Sequence, residues 1–79
     1  MKIPRDIKGS HLADVLCRQW DYKVVHQQGS HLILDTEIPT HQRISIPNHN
    51  PLRLGTLNNI LRSVSLHKGV TKADIINTL

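Results

Sequence analysis

The feature that most constrains this chain is the period of its apolar residues, which changes twice. From Ser10 to Trp20 they recur at helical spacing, with Leu12, Val15, Leu16 and Trp20 at i, i+3, i+4 and i+8. From Tyr22 to Pro47 the pattern breaks into three short runs of strand type, Tyr22–Gln27, Ser30–Asp35 and Arg43–Pro47. Beyond Gly55 the helical period returns in Leu57, Ile60, Leu61 and Val64. A chain written this way orders itself as helix, three strands, helix.

The punctuation supports that order. Residues 1–9 (MKIPRDIKG) read as an extended lead-in, since Pro4 and Gly9 disfavour helix. Ser10 suits an N-cap, its hydroxyl accepting from the free N–H groups of the first turn. Asp14 and Arg18 stand i, i+4 apart and can pair weakly. In the first strand Tyr22, Val24 and His26 share one face, with Lys23, Val25 and Gln27 on the other. Gln28-Gly29 is the expected hairpin turn. Thr36–Gln42 is a loop holding Pro39. In the third strand Ile44 and Ile46 oppose Arg43 and Ser45, and Pro47 ends it. Asn48–Leu54 is a second loop, and Thr56 is the expected N-cap of the second helix. Gly69 breaks that helix, and Thr71 with Asp74 forms a variant capping box opening a short last one. Ile75, Ile76 and Leu79 give that piece its apolar side.

Strands joined by such short connections make an antiparallel meander, one face packing helices and one open to water. The expectation is an α+β domain, α-β-β-β-α, with a three-stranded antiparallel sheet, both helices on one face and a short C-terminal helix. This is the arrangement of double-stranded-RNA-binding domains. At 79 residues the chain suffices for one domain, 1–79. With one Trp, one Tyr and no Phe, its core must be built from Leu, Ile and Val.

Charge narrows the function. Ten Lys and Arg against six Asp and Glu leave +4, and no acid falls between Glu37 and Asp74. Arg43, Arg53, Arg62, Lys68 and Lys72 all lie in that interval, with His41, His49 and His67. A field of this sign attracts polyanions, nucleic acid above all, although an acidic protein partner suits it as well. Cys17 is alone, which excludes a disulfide framework and a CxxC metal motif and fits a reducing, cytoplasmic location. Its thiol carries no sign of activation. No apolar run approaches the ~20 residues of a membrane span, and nothing in the sequence resembles a signal peptide. No two of the six histidines stand at zinc-site spacing, and no Gly-rich phosphate loop occurs, so neither metal nor nucleotide cofactor is expected.

The chemistry concentrates in Gln28-Gly29-Ser30-His31-Leu32-Ile33-Leu34, where a flexible pair precedes a histidine that opens an apolar strand. RNA carries its own nucleophile, the 2′-OH. Cleaving it without metal requires removing that proton, stabilising charge on the phosphorane and protonating the leaving 5′-oxygen. Histidine suits either proton transfer, and a placed acid or base contributes roughly 10²–10⁴-fold. His31, beside a glycine turn, is the first candidate. One histidine does not serve both transfers in one step, so a second group is wanted, and His26 and Lys23 are candidates. Arg43, Arg53 and Lys23 are the candidates for phosphate, with Ser30 beside His31.

Three motifs in this order resemble a known family. Gly29-Ser30-His31 after a Tyr-containing strand, then Ile44-Ser45-Ile46-Pro47-Asn48-His49, then Leu54-Gly55-Thr56-Leu57 with Ile60-Leu61-Arg62, together look like the HicA toxins. The resemblance implies a double-stranded-RNA-binding-domain-like fold and the toxin role of a type II toxin–antitoxin system. It further implies ribosome-independent cleavage of mRNA by the histidine of the Gly-Ser-His motif, and inhibition by a HicB-type antitoxin covering the active face. On this basis His31 is the catalytic histidine, His49 comes first for the second group because of its motif, and Gly55 and Thr56 belong to a structural helix start. Leu32-Ile33-Leu34 departs from the more aromatic or polar strand that follows in many members. A non-catalytic RNA-binding module of the same fold is the competing expectation, and a toxin that binds its antitoxin but no longer cuts is a third.

Overall fold

The computed structural model describes residues 2–79, so Met1 of the lead-in lies outside it. Six elements follow in order: α1 (Gly9–Gln19), β1 (Lys23–Gln28), β2 (His31–Thr36), β3 (Gln42–Pro47), α2 (Leu54–Lys68) and α3 (Lys72–Ile76). The strands make one antiparallel sheet in the order β1-β2-β3. The expected α+β architecture is the one the chain adopts.

Directly opposed residues of an antiparallel pair share a face. Leu32, Leu34 and Thr36 stand opposite Ile46, Ile44 and Gln42, and this face meets the helices. Leu34 and Ile46 are sealed against Leu12 and Leu16 of α1 and Leu57, Leu61 and Val64 of α2. Ile75 of α3 closes the same core. The other face is open. It carries His31, Ile33 and Asp35 on the middle strand and Pro47, Ser45 and Arg43 opposite them.

Several boundaries differ from expectation, each for a local reason. Helix α1 starts at Gly9 with Lys8 as N-cap and no side-chain cap, because the Gly9 N–H donates to the carbonyl of His49 at 2.9 Å. That distant acceptor replaces the Ser10 hydroxyl. A side chain is sterically impossible here, since a Cβ on Gly9 would lie 2.0 Å from the Pro47 carbonyl oxygen. Helix α2 likewise starts before Thr56, with Arg53 as an N-cap that makes no side-chain bond. The buried Leu52, whose N–H donates to Ile7 at 2.8 Å, fixes the chain just ahead of it. The hairpin turn is Gly29-Ser30, closed by Gln28 against His31, one residue later than Gln28-Gly29. Gly29 sits at φ 59°, and a positive φ at the first turn residue is the type II′ pattern, which favours glycine.

The first strand corrects the face assignment. Val24 opposes Leu34 and His26 opposes Ile33, leaving Val25 as an extra residue in a β-bulge. The alternation therefore resets, and His26 joins Lys23 on the open face instead of Val24 on the other. The remaining expectations hold. Arg18 Nε bonds Asp14 at 3.1 Å, α2 ends at Gly69, and Thr71 and Asp74 make both bonds of the capping box.

Candidate active site

His31 opens β2 immediately after the turn and is exposed. Its cross-strand neighbours on the open face are Gln28 and Pro47. The bulge places His26 one pair further along, a diagonal neighbour at roughly 7–8 Å between backbones. Two imidazoles thus share one solvent-facing surface. Sequence alternation alone could not show this, because nothing in Val24-Val25 announces which residue will be skipped.

The residues around His31 are held by backbone bonds. The carbonyl of Ser30 accepts from the Asn48 N–H at 2.6 Å, tying the turn to the end of β3. Asn48 and His49 follow Pro47, so His49, also exposed, lies within about 12 Å of His31 by chain reach. The same segment continues through Leu52 to Arg53 at the start of α2. His31, Ser30 and His49 therefore gather at one end of the sheet, and Arg53 stands four residues beyond His49 as the N-cap of α2.

Lys23 and Arg43 do not join them. Both flank Asp35 in the row at the opposite end of the open face, four residues along β2 and about 13 Å from His31. The Arg43 guanidinium grips Asp35 through two bonds, Nε at 2.8 Å and the terminal nitrogen at 3.0 Å. This pairing holds the Asp35 carboxyl below its ordinary value and raises Arg43 further. Arg43 thus reaches a ligand already half neutralised.

Asp35 also stands near Glu37 and His41, one ligand atom from each lying within 4.8 Å of the others. Sequence spacing did not reveal this set, which forms only because β2 and the following loop fold together. Its donors are engaged within the protein. Asp35 is held by Arg43, and His41 Nδ1 meets Glu37 at 2.7 Å. Around it, Lys68 of α2 reaches over the Tyr22 ring, 4.8 Å from its centre, and bonds Thr36 Oγ1 at 2.9 Å. Burial lowers the Lys68 pKa and pushes the Tyr22 phenol up to about 12, where its hydroxyl donates to Gln42. These groups brace the loop after β2 and stand away from the open face near His31. Cys17 is half-buried, and burial raises its thiol pKa, which opposes a nucleophilic role.

The arrangement thus sets exposed imidazoles, groups chemically suited to proton transfer, on an open sheet face. The family described as the HicA toxin of bacterial toxin-antitoxin matches residues 16–66, from α1 through nearly all of α2. No curated protein and no solved structure matches the chain. With well over half its length matched, and with the helix–meander–helix order in place, the chain belongs to the HicA toxin family and has the role of a toxin in a toxin–antitoxin system.

Proposed function

We propose that this toxin is an endoribonuclease that cleaves mRNA by proton transfer from its histidines, with His31 as the group in contact with the reacting atoms. The observation that carries the reading is the exposure of His31 on the open face, beside the Gly29-Ser30 turn, with His26 diagonal to it. One imidazole takes the proton of the 2′-OH, whose oxygen attacks the adjacent phosphorus. A second group gives a proton to the departing 5′-oxygen, so the strand breaks without added water or metal. Among candidates for that second group, His26 is favoured by register, and His49 by its place on the segment tied to Ser30. Arg53 and Ser30 flank the reacting phosphate, whereas Lys23 and Arg43 would contact RNA further along the face.

The same open face is the natural seat of the antitoxin, which we read as a HicB-type protein presenting acidic groups to it. Covering His31 would inhibit without altering the fold.

The test is cleavage of an RNA substrate in EDTA. Wild-type protein is expected to cut, and His31→Ala to lose at least ~10²-fold in rate with its circular dichroism unchanged. RNA that is bound but never cut by the wild type would instead make the protein a non-catalytic RNA-binding module.

A further inference from the structure

The cations of this protein divide into two populations. Arg18, Arg43, Lys68 and Lys72 are committed to Asp14, Asp35, Thr36 and Asn58 respectively. By contrast, among the described residues, several exposed cations enter no ion pair or side-chain hydrogen bond; Lys2, Lys23 and Arg62 are scattered, while Arg5, Lys8, His11, His49 and Arg53 lie around the start of α1 and the segment before α2. These five come from separate parts of the sequence, yet the fold brings their segments together. Gly9 N–H to His49 and Leu52 N–H to Ile7 staple the lead-in to the segment after β3. Asn48 N–H to Ser30 then joins that segment to the turn bearing His31.

The acids are distributed the other way. Asp21, Asp35 and Glu37 line one cleft at the far end of the sheet, with Lys23 the one cation among its lining residues. Around the His31 end, the lead-in contributes Asp6 and the segment from Asn48 to Arg53 contributes no acid. The charges are thus arranged unevenly along the strands: at the far end Asp21, Asp35 and Glu37 are offset by Lys23, Arg43 and Lys68, whereas the end where the turn and both helix starts meet has cations with few acids beside them.

We propose that Arg5, Lys8 and His11 extend the anion-binding end of the sheet, where His49 and Arg53 stand nearest the reacting phosphate, into a phosphate-binding surface that receives the RNA strand beyond the scissile bond and leads it around the end of the sheet. This deepens the ribonuclease reading and rests on it for the identity of the ligand. It also places the main backbone contacts at the turn end, away from Lys23 and Arg43, whose shared Asp35 repels phosphate. Arg5, Lys8 and His11 lie before residue 16, outside the stretch that matches the family. An exposed cation that contacts phosphate releases counterions, so its contribution shows in the salt dependence of binding.

The experiment measures anisotropy of a fluorescent single-stranded RNA with the His31→Ala protein, which holds RNA without cutting it, across a range of salt. Adding Lys8→Gln and Arg53→Gln together is expected to weaken binding roughly tenfold and to reduce the slope of log K against log salt by about 1.4, two contacts at about 0.7 each. Arg62→Gln, on the outer side of α2, serves as the control for simple loss of charge, and circular dichroism verifies folding. Each single variant is expected to lower the slope by about 0.7, which keeps the test open should the double variant misfold. Unchanged affinity and slope, or an equal loss from Arg62→Gln, would overturn the surface. If wild-type protein cuts RNA but these variants bind normally, the surface fails alone. If it never cuts yet they weaken binding, the nuclease reading fails and the surface stands. A protein that binds no RNA overturns both.

Discussion

At the level of single residues, Asp35 shows how a side chain absent from any motif sets the character of a face. It lies between Lys23 and Arg43 on the open side of the sheet and is gripped by Arg43 through both oxygens. A carboxyl whose pKa is depressed on folding contributes stability that is present above its unfolded value and disappears as pH falls through the folded one. Asp74, lowered by the bonds it makes at Thr71, has the same sign. Thermal unfolding is therefore expected to hold level near neutrality and to shift to lower temperature below about pH 4. Asp35→Asn should flatten that acid limb, and a limb unchanged in this variant would show that Arg43 stabilises nothing. The Tyr22 hydroxyl makes a separate case. Its bond to Gln42 joins the end of α1 to β3, and Tyr22→Phe is expected to cost about 1 kcal/mol in chemical denaturation, while leaving the ring under Lys68.

Among the elements, three glycines separate two physical constraints from the absence of either. Gly9 is held by contact, with no room for a Cβ against Pro47. Gly9→Ala must push α1 away from the end of β3, and a loss of 1–3 kcal/mol, as in an overpacked core, is the rough expectation. Gly29 is held by conformation alone, with nothing within 4 Å but a φ of 59°. Gly29→Ala should cost about 1 kcal/mol and disturb the setting of His31. Gly55 has neither constraint, lying in the first turn of α2 with open space around it. Gly55→Ala is accordingly expected to stabilise by roughly 0.5–1 kcal/mol. Urea titrations of the three variants check the ranking. A destabilised Gly55→Ala would mean that the motif carrying it has a role other than starting a helix.

Considered whole, the molecule has a small aliphatic core between one sheet face and two helices, and removing any fully buried member is severe. Leu61→Ala is expected to cost 2–5 kcal/mol, a large share of what a domain of this size has, and to leave a partly unfolded protein at 37 °C. The architecture was legible because it depends on patterns that survive in one dimension. The stripe Leu57, Ile60, Leu61, Val64 is fully or nearly buried, as its spacing requires. What escaped depends on partners distant in sequence. Ser10 and Thr56 have the right chemistry for caps, yet Gly9 finds its acceptor in His49 and Leu52 its acceptor in Ile7. The site divides in the same way. The exposed position of His31 after its turn was readable, but the bulge at Val25 that aligns His26 leaves no mark in the sequence. The partition of the cations also emerges only once the chain has closed on itself.

Trp20, the only tryptophan of the chain, caps the end of α1 and donates its indole N–H to Thr78 Oγ1 at 3.0 Å. Its emission is consequently a built-in gauge of whether the final residues remain docked. A red shift that precedes global melting would reveal the C-terminal turn peeling off as a separate step, with no label attached to the protein.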